Sequence, residues 1–339
     1  SEMFKSHLED IVDELSTLDR SYLTGSDVED IISHDHLMNL QSAAEIENVL
    51  IANSLQEGFI YHALSQGDVD DAYRVQLIWD YVGSIDKDHL RSSWIHAQKK
   101  HPVLRTRFDW SENLIQIIDK QGIVDWRFID ISGNSYDEQE EILAATIQKD
   151  RKERYDLSRS GLFRLYLLKR SEEYYSFIFS NHHAILDGWS IPIIVNSIHE
   201  TYLGLTQGKT FEIEIDNSYI HAQKYLQSHR GTSVDFWNNY ISLHEEREDL
   251  SSLLKSTAKS IDLSTYKHIK EPRSLNMEIS GDQYNVLKTL TSAKGITVNA
   301  VLQYLWHKQL SIYSNSSTTV VGTTVSGRGL PIDGIESSV

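Results

Sequence analysis

Two adjacent histidines, an aspartate four residues after the second and a glycine directly behind it make up His182–His183–Ala184–Ile185–Leu186–Asp187–Gly188. An imidazole, with an ordinary pKa of about 6.5, takes or gives a single proton near neutrality. The Asp187 carboxylate reaches back across a turn and can fix the loop without relaying a proton. Gly188 lacks a Cβ, so its backbone has access to positive φ and to close approach by a ligand. Ser190 follows Trp189 rather than standing in a Gly-x-Ser-x-Gly elbow. It reads as the N-cap of a following helix, with Trp189 packed beneath it. The segment therefore offers proton handling with no evident nucleophile, and His182 reads as the structural member of the doublet.

These residues fall where a strand hands over to a helix. Tyr174–Tyr175–Ser176–Phe177–Ile178–Phe179–Ser180 is dense in aromatic and β-branched residues and predicts a buried strand. From Ser190 to Leu205, apolar residues at Ile191, Ile194, Val195, Ile198, Tyr202 and Leu205 predict a helix. A turn on such a scaffold presents side chains well. Around it, alternation predicts strands at 75–81, 104–110, 114–118 and 162–168, the last forming a hairpin with the Tyr174 strand. Helical spacing predicts helices at 88–100, 136–151, 217–228, 233–243, 281–292 and 298–313, followed by a strand at 318–325. At the N-terminus Phe4, Leu8, Ile11, Val12, Leu15 and Leu18 predict an amphipathic helix. Residues 21–41 are polar and read as irregular. Their His34–Asp35–His36 cluster reads as an exposed stretch rather than a metal site. Thr206–Gln207–Gly208–Lys209–Thr210 reads as a lobe boundary.

Of 339 residues, 40% are hydrophobic and 24% charged, ordinary for a soluble globular chain with a sizeable core. A net charge of −17 argues against nucleic acid and anionic membrane surfaces as partners. Cysteine is absent, which removes disulfides, thiolate metal sites and cysteine nucleophiles. No run approaches the roughly 18 apolar residues of a membrane helix, and Ser1–Lys5 does not open a signal peptide. A cytoplasmic protein is expected. Neither a Gly-x-x-x-x-Gly-Lys-Ser/Thr loop nor a Gly-x-Gly-x-x-Gly motif is present, so nothing points to ATP or a dinucleotide.

Five motifs in order resemble the condensation domains of nonribosomal peptide synthetases, whose signature is His-His-x-x-x-Asp-Gly. Ser54–Leu55–Gln56–Glu57–Gly58–Phe59–Ile60–Tyr61–His62 is similar to the family's Ser-Pro-Leu-Gln-Glu-Gly opening, with Leu55 directly after Ser54 where proline is usual. His101–Pro102–Val103–Leu104–Arg105–Thr106–Arg107–Phe108 is similar to its second motif, with Lys100 in place of the usual arginine. Tyr155–Asp156–Leu157 to Leu162–Phe163–Arg164 and Val321–Gly322–Thr323–Thr324–Val325–Ser326–Gly327–Arg328 resemble two more.

The resemblance implies an α/β (α+β) fold of two chloramphenicol-acetyltransferase-like lobes, a V-shaped pseudo-dimer with a central tunnel. It implies a connector or docking segment over 1–45, an N-terminal lobe over 46–210 and a C-terminal lobe, incomplete here, over 211–339. Leu23–Thr24–Gly25–Ser26–Asp27 resembles the connector that precedes such domains. The implied activity is amide-forming acyl transfer, from a carrier-bound aminoacyl or peptidyl thioester to the amine of a carrier-bound acceptor. No cofactor is bound intrinsically and no metal is used. Substrates ride on 4'-phosphopantetheine arms, and the partners are upstream and downstream peptidyl carrier proteins and neighbouring modules. His183 is a general base or a hydrogen-bonding positioner, and the Gly188 N–H a donor to the acceptor or the oxyanion. His182, Asp187, Arg328 and Arg105 are expected to be structural at the site, with Asp187 either paired to Arg328 across the lobes or capping the next helix. Gln56, Gly58, Trp189 and Ser326 are expected to line the tunnel. The motifs also resemble the subtype that takes a D-configured donor. Two alternatives stand beside this reading: an epimerization domain, which would carry a glutamate in the stretch that here reads Thr324–Val325–Ser326–Gly327–Arg328, and a non-catalytic docking module.

Overall fold

A computed structural model describes residues 2–17, 22–66, 72–242 and 275–339. Leu18, Ser21 and Leu243, which the sequence assigns to an element or a connector, lie outside the described residues. In chain order the elements are α1 (Glu2–Ser16), α2 (His34–Ala43), β1 (Ile46–Ile51), α3 (Ser54–Gln66), β2 (Arg74–Val82) and α4 (Lys87–Lys100). Then come β3 (Thr106–Asp109), β4 (Ile115–Asp119), β5 (Asp125–Asp130), α5 (Tyr136–Lys152), β6 (Phe163–Ser171), β7 (Tyr174–His182) and α6 (Ser190–Thr206). Among the described residues, the helices α7 (Ser218–Ser228), α8 (Val234–Ile241), α9 (Gly281–Lys294) and α10 (Val298–Ser314) follow. The chain is of the mixed α/β class. It divides into two compact units, one of Ser1–Gly67, Asp71–His229 and Ser326–Val339, the other of Asp68–Asp70 and Arg230–Val325.

In the first unit, a four-stranded sheet of order β2-β7-β6-β5 carries the motif loop. Its strands alternate faces, as a pleated strand must. Phe177, Phe179, Leu165 and Leu167 join a cluster with Trp94 of α4 and Ile194 and Ile198 of α6. The residues between them, Ile178, Tyr166 and Leu168, pack with Ile142, Leu143 and Ile147 of α5 on the other face. A sheet covered on both faces explains why β6 and β7 read as near-continuous apolar runs. β5 pairs parallel to β6 while the other pairs are antiparallel. That geometry requires a crossover, which α5 supplies. Ser135 caps α5 reciprocally with Glu138.

Among the described residues, Arg164 and Asp150 form a buried charged pair. Arg164 Nε donates to Asp150 Oδ1 at 2.7 Å, with the side chains 4% and 1% exposed. Asp150 also accepts from Gln76 Nε2 at 2.6 Å and from the Tyr166 hydroxyl at 3.2 Å. The Arg164 guanidinium lies 3.9 Å from the centre of the Tyr155 ring.

A second, three-stranded sheet has the order β1-β4-β3. Val28, Ile31, Ile32 and Leu37 pack against its Val49, Ile115 and Ile117. The stretch 21–41, expected to be irregular, thus holds most of α2. Ser33 caps it by accepting from the His36 N–H, and Leu37 is fully buried. His36 is not exposed: its Nε2 lies 3.1 Å from Asp109 Oδ1. In α1, Phe4, Leu8, Ile11 and Val12 are all more than half exposed.

Among the described residues of the second unit, α8, α9 and α10 match the helices expected there. Residues 318–325, expected as a strand, belong to neither sheet. β-propensity expresses fit to a half-buried pleated surface, and Val320 and Val325 are 72% and 75% exposed.

Candidate active site

His182 closes β7 and its neighbour opens the loop. The His182 ring is buried, its Nδ1 accepts from the Ala184 N–H at 3.2 Å, and Tyr155 meets it edge-on at 6.2 Å. Burial first, then the Arg74 guanidinium and the His183 and His62 rings, push its pKa down to about 4. His182 is therefore a neutral acceptor that shapes the loop. Because the ordinary value is about 6.5, neutral His182 favours the folded chain above that pH, and this contribution is lost as pH falls towards about 4. Relative to His182→Asn, which keeps an acceptor but no titrating group, the wild type is expected to lose about 3 kcal/mol between those limits. Urea denaturation at a series of pH values measures this; a constant difference between the two proteins would contradict it.

His183 is only partly buried. Its backbone N–H donates to the Tyr73 carbonyl at 2.7 Å, and its ring stacks on Phe59 of α3 at 5.2 Å and 12°. Its Nδ1 lies 2.7 Å from the Leu186 carbonyl oxygen. A carbonyl only accepts, so Nδ1 carries the proton, and in the neutral ring Nε2 keeps its lone pair. Nε2 has no hydrogen-bond partner among the described residues. Tyr73 holds φ at +67°, a region rarely adopted by an aromatic residue, and its ring contacts both Phe59 and His62.

Asp187 does both things that its sequence position allowed. Its Oδ1 accepts from the Ser190 N–H and the Ser190 hydroxyl, each at 2.7 Å, at the start of α6. Arg328 donates through Nη1 to Oδ2 at 2.9 Å and through Nη2 to Oδ1 at 3.4 Å. Burial raises the carboxyl's pKa, but Arg328 and Ser190 outweigh it and the net shift is downward. The pair was expected to join two lobes; Arg328 instead belongs to the same compact unit as Asp187. Its Nη2 also reaches the Ser190 hydroxyl at 3.1 Å and the Ser338 carbonyl at 3.0 Å. Capping of α6 thus falls to the Asp187 side chain. Ser190 is the first helical residue, and Trp189, expected to be packed, is 51% exposed.

Gly188 is exposed, its φ is not positive, and a Cβ there would meet nothing within 4 Å. Its N–H makes no hydrogen bond among the described residues. Gly188→Ala is thus expected to leave stability within about 0.5 kcal/mol of wild type. Any fall in turnover would then report a reactant approaching this backbone. Thermal unfolding and product formation on one sample separate the two, and marked destabilisation would contradict the expectation.

Gln56, expected in a tunnel wall, is 4% exposed and works as a buried latch. Its Oε1 accepts from the Asn53 N–H at 3.0 Å, and its Nε2 donates to the Ala184 carbonyl at 3.1 Å. Gly58 is exposed on α3 directly before Phe59. Ser326 is partly buried, and its hydroxyl accepts from the Arg328 N–H at 3.3 Å. Arg105 is not brought to this loop. It is 2% exposed and donates to the Gln98 carbonyl, the Glu47 carboxylate and the Asp119 carbonyl. Among the described residues, no group of three or more histidine or acidic side chains could hold a metal ion, and no helix is long and apolar enough to cross a membrane. Phe59, Tyr73 and the Leu186 carbonyl were not expected as site components. Phe59 stood within a motif, but Leu186 and Tyr73 meet His183 through backbone carbonyls, which leave no mark in a sequence.

A family model described as Condensation domain matches residues 46–339. The chain is 40% identical over 292 residues to N-(5-amino-5-carboxypentanoyl)-L-cysteinyl-D-valine synthase of Amycolatopsis lactamdurans, covering 85% of this chain and 8% of that protein. It is 29% identical over 341 residues to bacitracin synthase 3 of Bacillus licheniformis, covering 99% and 5%. Among solved structures, it is similar to a mutant starter condensation domain of the rhizomide synthetase RzmA. The TM-score is 0.54 at 17% identity, over 61% of this chain and 51% of that one. That likeness concerns the fold. The chain spans less than a tenth of the length of the two synthases.

Proposed function

The chain belongs to the condensation-domain family of nonribosomal peptide synthetases, and from that premise we propose that it joins a carrier-bound aminoacyl or peptidyl thioester to the amine of a second carrier-bound residue, with His183 handling the proton. The observation that carries this reading is the bond from His183 Nδ1 to the Leu186 carbonyl, which leaves Nε2 as an acceptor at a partly buried site. An amine attacking a thioester carbonyl must shed one proton while an oxyanion forms. An α-amino group has a pKa of about 8, so a strong base is not required. Nε2 accepts that proton or holds the amine in line, and the Gly188 N–H is available to the oxyanion. Collapse of the tetrahedral intermediate then breaks the C–S bond, and the proton leaves with the donor carrier's thiol. Holding two tethered reactants together supplies much of the rate.

The substrates are carried on 4'-phosphopantetheine arms of upstream and downstream carrier proteins, in the cytoplasm. The experiment is to mix the full chain with two loaded carriers and read dipeptidyl product on the downstream carrier by intact mass. Absence of product, or inversion of the donor's stereocentre without bond formation, would replace condensation by docking or epimerization. Against epimerization, the stretch Thr324–Arg328 offers no carboxylate as a second acid or base. The resemblance of the opening and late motifs to the D-donor subtype extends the proposal to donor chirality. A donor ending in a D-residue is expected to turn over faster than its L-epimer, and equal or faster turnover of the L-epimer removes that extension.

A further inference from the structure

Arg105 makes no bond to the His183 loop, and the cavity that it lines takes no part in the chemistry above. That cavity, of about 540 Å³, is bordered by α4, the start of β1 and the chain that follows β4. Four cations line it: Arg91 and Lys99 of α4, Arg105, and Lys120. Glu47 is the one carboxylate in the lining, and Arg105 Nη1 already engages it at 2.6 Å. Glu45 lies 3.6 Å from Lys120. Arg91 and Lys99 have no ion pair among the described residues. A net positive cavity on a chain of net charge −17 is a local reversal of sign.

Two further features separate the cavity from a merely solvated basic face. Ile95, Val124, Ile213 and Ile215 also line it, and Ile213 and Ile215 are 42% and 47% exposed. The Arg105 guanidinium, in a side chain 3% exposed, uses Nε and Nη1 within the protein, while Nη2 makes no hydrogen bond among the described residues. That nitrogen stays open to solvent and free to donate to an acceptor. The wall is also closely packed, since a Cβ on Gly122 would lie 2.5 Å from the Gln98 side chain and 2.7 Å from that of Arg105.

We infer that this cavity is a binding site for a small organic anion, a carboxylate or phosphate ester with an apolar body. Cations that are not fully neutralised take the anionic group, and the aliphatic wall takes the body. Its volume lies within the roughly 300–1,000 Å³ of small-molecule pockets, which favours such a ligand over a protein surface.

Calorimetric titration of the full chain with phenyl phosphate, phenylacetate and neutral benzyl alcohol tests this. At least one anion is expected to saturate a single site, with benzyl alcohol bound about tenfold more weakly or worse. The tighter of the two anions identifies the headgroup as phosphate ester or carboxylate. Arg91→Gln/Lys99→Gln, at two exposed positions, is expected to weaken binding by about tenfold or more, whereas His183→Ala leaves it unchanged. In the wild type, added sulfate is expected to compete, a reading that needs no variant. No saturation by either anion up to about 10 mM, equal affinity for benzyl alcohol, or undiminished affinity in the folded double variant would overturn the inference.

Discussion

His183→Ala is expected to leave the chain folded and to lower dipeptide formation by about a hundredfold to ten-thousandfold, the range for loss of a positioned acid or base. The fold should survive because the contact that ties this residue to Tyr73 is made by its backbone N–H, which alanine retains. Among the described residues, the stack on Phe59 and one bond to the Leu186 carbonyl are lost. Intact-mass analysis of the downstream carrier, in a single turnover, gives the rate. His183→Gln divides the two roles left open for the ring. A glutamine can donate and accept hydrogen bonds but cannot take up a proton at neutral pH, so substantial rescue identifies a positioner and none identifies a base. Near-normal product from folded His183→Ala would sink both roles together.

The largest loss of stability is expected outside the motif loop, at Asp150. Removing one partner of a buried ion pair leaves the other charge uncompensated, at a cost of about 3–5 kcal/mol. Asp150 meets that description, being 1% exposed with Arg164 beside it at 4%. Asp150→Ala also strips an acceptor from Gln76 and from Tyr166. Denaturant titration should place the variant's midpoint well below wild type, and a loss under about 1 kcal/mol would contradict the assignment. Replacing both partners by apolar residues, as in Asp150→Leu/Arg164→Met, should recover much of the loss. The Asp187–Arg328 pair is expected to be worth less, since the Asp187 carboxylate is 39% exposed and water screens it. Asp150 also has an indirect bearing on the loop. Arg164 lies on the face of Tyr155, and Tyr155 meets His182 edge-on.

The chain's periodicities revealed β6, β7 and α6 because each buries a patterned face: alternation put Phe177 and Ile178 on opposite sides of one sheet. The same rule missed α2. There Leu37 is fully buried, while Met38 and Asn39 are exposed, so a short helix among polar residues carries little pattern. It also proposed a strand over 318–325, where composition was favourable but the residues lie outside both sheets. At the site, His183, Asp187 and Arg328 could be singled out from side-chain type and motif. Gln56 and Arg105 show the limit of that reading. Both stand in motifs that resemble family signatures, yet one is a latch under the loop and the other faces a separate cavity. Spacing along a chain does not encode which carbonyl a buried donor will find.

The first compact unit is discontinuous in sequence: its last contributor, Ser326–Val339, follows the whole of the second unit. Ser338 donates to Asp216 at 3.0 Å, Ser218 donates to the Asp333 carbonyl at 3.1 Å, and Val339 enters the main core. During synthesis from the N-terminus, the motif loop is therefore made well before the arginine that braces it. The first unit cannot acquire its full set of contacts until Arg328 has left the ribosome. The same order constrains recombination between synthetases. A crossover near His229, where the first unit's long segment ends, would give Asp187 and Arg328 different parents. Chimeras that keep 182–190 and 326–339 from one parent should preserve the brace, wherever the intervening exchange is made.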